Sequence, residues 1–354
     1  MMSIRFSLLA ALAATIFASG STETHAQRGR HAPLSAPAAC TASSTNRPLA
    51  PGSQLYGVTL DDVSNTQGEL DALVNLPHMP IARIYFDPTV NPSSYVKAIQ
   101  TFYPKSYIMG EVADSSDMKN FTTSSITSQT NNLIIALGPC VDVWEIGNEV
   151  NGNWLLSRGS HASDASATMA KIEAVYNAVM DPANPTARSK LTALTFFYEG
   201  EPSDPNNCIS TGNGGNDMFT WISKNFLASP TATTEAIRTT VNYVLISWYP
   251  DQCNNLAPDW PAIFEKLAGL FPNSYVGFGE IGTANADENQ SYEQNLIIEY
   301  YPMVRNRISW PGTPDEVSYM QSHYVGGYFW WYFAEEMVPR NGSVLYQTLW
   351  SAMQ

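Results

Sequence analysis

Val141-Asp-Val-Trp-Glu-Ile-Gly-Asn-Glu-Val-Asn151 is the stretch on which the fold turns. Its first seven residues form a short, β-rich run that breaks at glycine, and a polar Asn148-Glu149 follows at once. A strand that closes on polar residues recurs on both sides of it. Upstream lie Gln54 to Leu60, Ile81 to Phe86 and Ser106 to Glu111. Downstream lie Leu191 to Tyr198, Asn242 to Trp248, Ser274 to Glu280 and Val325 to Tyr332. Short β-branched and aromatic runs bounded by Gly, Pro and Asn are strand signals.

Apolar residues repeat at helical spacing between these runs, in residues 69–76, 167–180, 217–227, 260–270 and 291–304. Strands alternating with helices imply βαβ units and a parallel sheet. Gln54 to Phe333 is 280 residues, or 35 for each of eight units. That suits an α/β single-domain (β/α)8 barrel, the TIM barrel, which needs about 250 residues. An open doubly wound sheet would want a Gly-rich phosphate turn after the first strand. Thr59-Leu60-Asp61-Asp62 is unlike one.

The N-terminus reads differently. Arg5 precedes an apolar run from Phe6 to Ala18, and small and polar residues follow. This is the pattern of a secretory signal peptide; the apolar run is too short to span a bilayer, which takes about 20 residues. Ala18 and Ala26 are both candidate ends of the removed piece, and the preferred assignment is a signal peptide over 1–26. An uncleaved N-terminal anchor is the alternative. Residues 27–52, rich in Ala, Pro, Ser and Thr, read as a flexible tail, and 53–354 as the barrel domain. The expected location is secreted or periplasmic, with no stable membrane association after signal removal.

Charged residues make up 14% of the chain and aromatics 12%, and the formal net charge is −14. Such an acidic protein repels nucleic acid and anionic polymers at long range, which favours a neutral partner. The four cysteines are not spaced as a zinc site. His161 and His323 lack ligand-spaced partners, so no metal or cofactor is expected. Topology pairs the cysteines instead. Cys208 and Cys253 follow the fifth and sixth strands on one face, whereas Cys140 precedes the fourth and Cys40 lies in the entering tail. The expected bonds are Cys208–Cys253 and Cys40–Cys140.

Barrel active sites form where strands end. The fourth strand offers Glu149 there, and the seventh offers Glu280. Two carboxylates about 5–5.5 Å apart are what a retaining glycosidase uses, one as acid/base and one as nucleophile. Asn-Glu after strand four and Glu after strand seven resemble the signature of the clan A glycoside hydrolases, retaining enzymes on (β/α)8 barrels. The resemblance implies Glu149 as acid/base and Glu280 as nucleophile. It implies Asn148 as the ligand of the sugar 2-hydroxyl, Arg83 in strand two as support for the nucleophile, and Tyr249 as its hydrogen-bond donor. An aromatic at the end of strand eight, Trp330 or Trp331, would floor the sugar site. Trp154, on the loop after strand four, is a candidate subsite residue.

Glu145 reads as a buried structural carboxylate, and Trp144 as core. Glu111, Glu199, Glu201, Glu335 and Glu336 read as subsite or solvated residues. Arg83-Ile-Tyr85 with Phe86-Asp-Pro88, and Gly147-Asn-Glu149, are locally similar to the endo-β-1,3-glucanase and endo-galactanase families. The strand-seven phrase Gly-Glu-Ile-Gly departs from their usual Glu-Thr-Gly. The implied function is hydrolysis of a β-linked, neutral glycan by a monomer. A transglycosylase using the same carboxylates, and a non-catalytic glycan-binding barrel, are the alternatives.

Overall fold

The computed structural model describes residues 40, 48–155, 165–188, 190–209, 216–253, 256–283, 290–305 and 323–354. The signal peptide assigned to 1–26 and His161 lie outside the described residues.

Eight parallel strands form one sheet: β1 Leu55–Leu60, β2 Ile81–Tyr85, β3 Tyr107–Glu111, β4 Val143–Gly147, β5 Leu191–Phe197, β6 Tyr243–Trp248, β7 Tyr275–Ile281 and β8 Gly326–Trp330. Neighbours run in the order β7-β6-β5-β4-β3-β2-β1-β8. The two ends meet where Val325 N donates to Val276 O at 2.9 Å and Val276 bridges Tyr324. The result is a (β/α)8 barrel within a compact unit spanning Ala36–Gln354.

Strands of such a barrel are buried on both faces. Outward-facing Val58, Ile84, Ile108, Trp144, Phe196, Val244 and Phe278 join the large core under the helices. Inward-facing Leu55, Ile81, Met109, Val143, Ala193, Leu245 and Phe329 form a smaller apolar plug. Above that plug the inward positions turn polar: Arg83, Glu111, Glu145, Thr195 and Ser247 are all buried. This change from plug to polar layer sets the floor of the candidate site.

The helices include α1 Thr66–Val74, α2 Val96–Phe102, α3 Thr123–Leu137, α4 Ser166–Met180, α5 Met218–Ile222, α6 Ala232–Thr240, α7 Trp260–Leu270, α8 Gln290–Tyr300, α9 Phe333–Met337 and α10 Val344–Met353. Among the helices of seven or more residues, α2, α3, α6 and α10 fall outside the helical spacings of the sequence. The reason is visible in α3 and α6, whose Thr- and Ser-rich sequences have weak helix propensity. Capping compensates in α3, where Thr122 and Ser125 cap each other's backbone. The expected helix over 217–227 changes character midway, with a π-helical turn over Ser223–Leu227. No helix among the described residues is long and apolar enough to cross a membrane.

Two disulfides are present, Cys40–Cys140 and Cys208–Cys253, the pairs that topology called for. The first pins residue 40 beside the start of β4, and the second ties the loops after β5 and β6. The stretch assigned as tail is anchored a second time, because Leu49 is 4% exposed and packs into the plug.

Candidate active site

Simple alternation would send Glu280 to the wrong side of β7. Val276 and Phe278 share its parity and both face the helices. A register shift intervenes: Ile246 pairs with Phe278, but Ser247 pairs with Glu280. The extra residue is Gly279, and this bulge turns Glu280 into the barrel mouth. A Cβ on Gly279 would lie 2.5 Å from Thr195 Cγ2 and 3.1 Å from Leu245 Cβ. Gly279→Ala is therefore expected to destabilise the protein by about 1–3 kcal/mol through overpacking, read as a lowered denaturant midpoint. An unchanged midpoint would show that the bulge tolerates a side chain.

Arg83, fully buried on β2, reaches three carboxylates. Its Nε donates to Glu145 Oε2 at 2.6 Å. Its Nη1 lies 2.8 Å from Glu280 Oε1, and its Nη2 lies 3.1 Å from Glu111 Oε1. The last two are ion-pair contacts without full hydrogen-bond alignment. Glu145 also accepts from Thr195 Oγ1 at 2.5 Å, which makes it the buried structural carboxylate expected. Glu280 accepts from the Tyr249 hydroxyl at 2.6 Å. Burial pushes Glu280 up to about 7, while Arg83 and the Tyr249 hydrogen bond pull against that rise.

Glu149 has a different environment. It sits at φ +46°, a left-handed conformation that side-chain-bearing residues seldom adopt. Such strain persists where neighbours over-determine the backbone. Here Val150 N donates to Thr195 O, and Gly152 N donates to Glu149 O. Asn151 adds a clamp, its side chain accepting from Phe197 N at 2.7 Å and donating to Phe197 O at 2.8 Å. The Glu149 carboxyl accepts from Ser115 Oγ at 3.0 Å, and Ser115 Oγ accepts from Trp154 Nε1 at 2.9 Å. Burial, then the charge of Glu280, hold Glu149 well above the usual carboxylate range. No cation contacts it among the described residues, whereas Glu280 has Arg83. Glu280 is thus the easier of the two to ionise.

Arg83, Tyr249, Glu149 and Glu280 are brought together, and Asn148 lies beside them, 1% exposed, its Nδ2 donating to Asp114 Oδ2 at 3.3 Å. Trp331 is half-buried, with the Arg83 guanidinium 5.6 Å from its ring centroid. Trp330 is a correction. It is fully buried in the core under the helices, its Nε1 donating to Glu336 Oε2 at 2.6 Å, so it cannot floor a sugar site. Glu111, read as subsite or solvated, is also corrected: it has no exposure and contacts Arg83. Trp154 spends its indole N–H on Ser115, which makes it a support for Glu149 at least as much as a wall. Trp144 is core, as expected. Glu201 pairs with Lys266 at 2.9 Å. Asp114 and Ser115, on the loop after β3, were not singled out from sequence. Asp-Ser-Ser after a strand is an ordinary turn signal, and nothing local marks it as part of a site.

No model of a known protein family matches the chain, and no curated protein matches it. Solved structures do. The chain is similar to Gas2 of Saccharomyces cerevisiae, at 14% identity and a TM-score of 0.50, with 85% of this chain and 63% of that one covered. It thus spans less than two thirds of the Gas2 chain. It is also similar to a β-glucosidase from Thermotoga maritima, solved in complex with galacto-hydroximolactam. There the identity is 10% and the TM-score 0.53, with 80% and 89% covered. At these identities the likeness establishes the barrel fold.

Proposed function

We propose that this chain is an exported retaining glycoside hydrolase that cleaves a β-linked, neutral glycan, with Glu149 as general acid/base and Glu280 as nucleophile. The observation that carries the reading is the contrast between two buried carboxyls at one barrel mouth. Glu280 is held by a cation and a phenolic donor, and Glu149 by neither. Pairs of titratable groups pushed apart by their surroundings are how acid and base roles are assigned. The disulfides fit an oxidising compartment outside the cytosol. The acidic net charge disfavours anionic polymers.

In this reading Glu149 delivers its proton to the glycosidic oxygen while Glu280 attacks the anomeric carbon. The leaving sugar departs, and Glu280 is left as a glycosyl ester. Glu149, now ionised, takes a proton from water, which opens the ester with net retention. Asn148 holds the 2-hydroxyl, a contact that strengthens as charge develops. Trp331 offers a flat apolar face to the ring.

The test is turnover of β-1,3, β-1,4 and β-1,6 glucans, galactans, mannans and xylans, with the anomer of the first product followed by NMR. Retention on a neutral substrate is expected. An inverted first product, or no turnover by protein that is folded, would overturn the reading.

Ser115 gives a finer prediction. Its hydroxyl donates to Glu149 and so favours the ionised form. Ser115→Ala should therefore raise Glu149 further and move the basic limb of kcat/KM to higher pH. A basic limb that stays in place would show that the hydrogen bond does not tune the acid.

A further inference from the structure

Double displacement does not call for Glu111, yet Glu111 is as deeply buried as the residues it does call for. Its side chain has no exposure, and among the described residues neither oxygen accepts a hydrogen bond. Among the described residues its one ion-pair contact is Arg83 Nη2 at 3.1 Å, and that guanidinium is shared with Glu145 at 2.6 Å and Glu280 at 2.8 Å. Three ionised carboxylates against one cation would leave the buried layer at a net charge of −2. Burying uncompensated charge is expensive, and carboxylates sharing a site resolve the conflict by binding a proton. The proton goes where ionisation is least supported. Glu145 has Thr195 as a second donor and Glu280 has Tyr249. Glu111 has none among the described residues.

We propose that Glu111 is held as a neutral carboxylic acid and acts as a positioning residue for the nucleophile. Its uncharged carboxyl oxygen steadies Arg83 Nη2 and leaves the cation's charge to Glu145 and Glu280. The inference rests on the reading of Glu280 as nucleophile. The charged groups facing Glu111 are Arg83 from β2, Glu145 from β4, Glu280 from β7 and Asp114 from the loop after β3. Burial drives Glu111 upward most strongly; Arg83 opposes it, and the three carboxylates add to it.

The arrangement matches the charge history of the reaction. With Glu111 neutral, the resting cluster of Arg83, Glu145 and Glu280 carries −1. That surplus faces the sugar carbon as it becomes cationic. Once the glycosyl ester forms, Glu280 has lost its charge and Arg83 is balanced by Glu145 alone. An ionised Glu111 would instead leave the intermediate at −1 in a dry layer.

The test is infrared difference spectroscopy of wild type against Glu111→Gln at neutral pH. The substitution should delete the C=O stretch of a protonated carboxyl. Loss of carboxylate bands instead would overturn the proposal. This readout needs no substrate, so it fails separately from the glycosidase reading. In kinetics, Glu111→Gln should leave the acid limb of kcat/KM in place, because an amide mimics a neutral acid. Were Glu111 ionised, removing its charge would shift that limb down by about a unit or more, which would also overturn it. Glu111→Leu, which removes the oxygen 3.1 Å from Nη2 and lets the guanidinium shift, should lower kcat at least about tenfold, since a misplacement of about 1 Å can cost about 10²-fold. A leucine variant as active as wild type would remove the positioning role. Should it fail to fold, the glutamine variant and the infrared bands still decide.

Discussion

Glu280→Ala is expected to lose turnover on the order of 10⁶-fold, the scale of deleting the nucleophile from a serine protease. The variant should remain folded, because Arg83 keeps Glu111 and Glu145 as partners. The sharper readout is stereochemical. Azide entering the space left by the side chain attacks the anomeric carbon of an activated β-glycoside directly. One displacement gives the α-glycosyl azide. Recovery of the β-azide, or unimpaired hydrolysis, would show that Glu280 is not the nucleophile.

Removing Glu149 should have the opposite stereochemical result and an added effect on stability. Glu149→Ala keeps the first displacement, so azide meets the glycosyl ester and two inversions yield the β-azide. Glu149→Gln should lower kcat/KM about 10²–10⁴-fold on substrates with poor leaving groups. Aryl glycosides with acidic leaving groups need no proton and should lose far less. Stability moves the other way. Burial, followed by Glu280, raises the folded-state value of Glu149. Below about 4.3, the ordinary Glu value, folded and unfolded chains are both protonated. Above it the unfolded chain releases the proton while the folded chain keeps it, so stability falls as pH rises toward the folded value. Glutamine carries no such liability. Glu149→Gln should therefore melt higher than wild type at neutral pH, by roughly 2–4 °C for each kcal/mol recovered, and match it near pH 4. A variant that melts lower at neutral pH would contradict the strained, desolvated setting described for Glu149.

Much of the candidate site is legible in the sequence. The two carboxylates follow from their place at strand ends, and Arg83 and Tyr249 from the family resemblance. The errors lie where the direction of a side chain, and not its position along the chain, is decisive. Trp330 and Trp331 are adjacent at the end of β8, and sequence offers no phase between them. The phase comes from an irregular strand. Gly326, Gly327, Tyr328 and Phe329 all have positive φ, and Gly327 lies where a Cβ would stand 1.9 Å from Phe278 O. On this strand, packed that closely on β7, Tyr328 and Trp330 enter the helix layer and Phe329 the plug, while Trp331 remains against Arg83. The misreading of Glu111 has a related cause. A carboxylate that ends a strand reads as solvated, and its burial depends on a guanidinium supplied from the neighbouring strand.

What the sequence by itself determined is the repeating local order: eight apolar runs, the polar residues that close them, and cysteines assigned to opposite faces. These follow from short-range periodicity and chain connectivity, which act within a few residues or a single βα unit. The tertiary structure alone decided the aim of Glu280 through the Gly279 bulge, the left-handed turn at Glu149 and its clamp by Asn151. It also decided the convergence of Glu111, Glu145 and Glu280 on Arg83 and the link from Trp154 through Ser115 to Glu149. Each of these depends on contacts between strands or loops distant along the chain, where packing and desolvation outweigh any local preference.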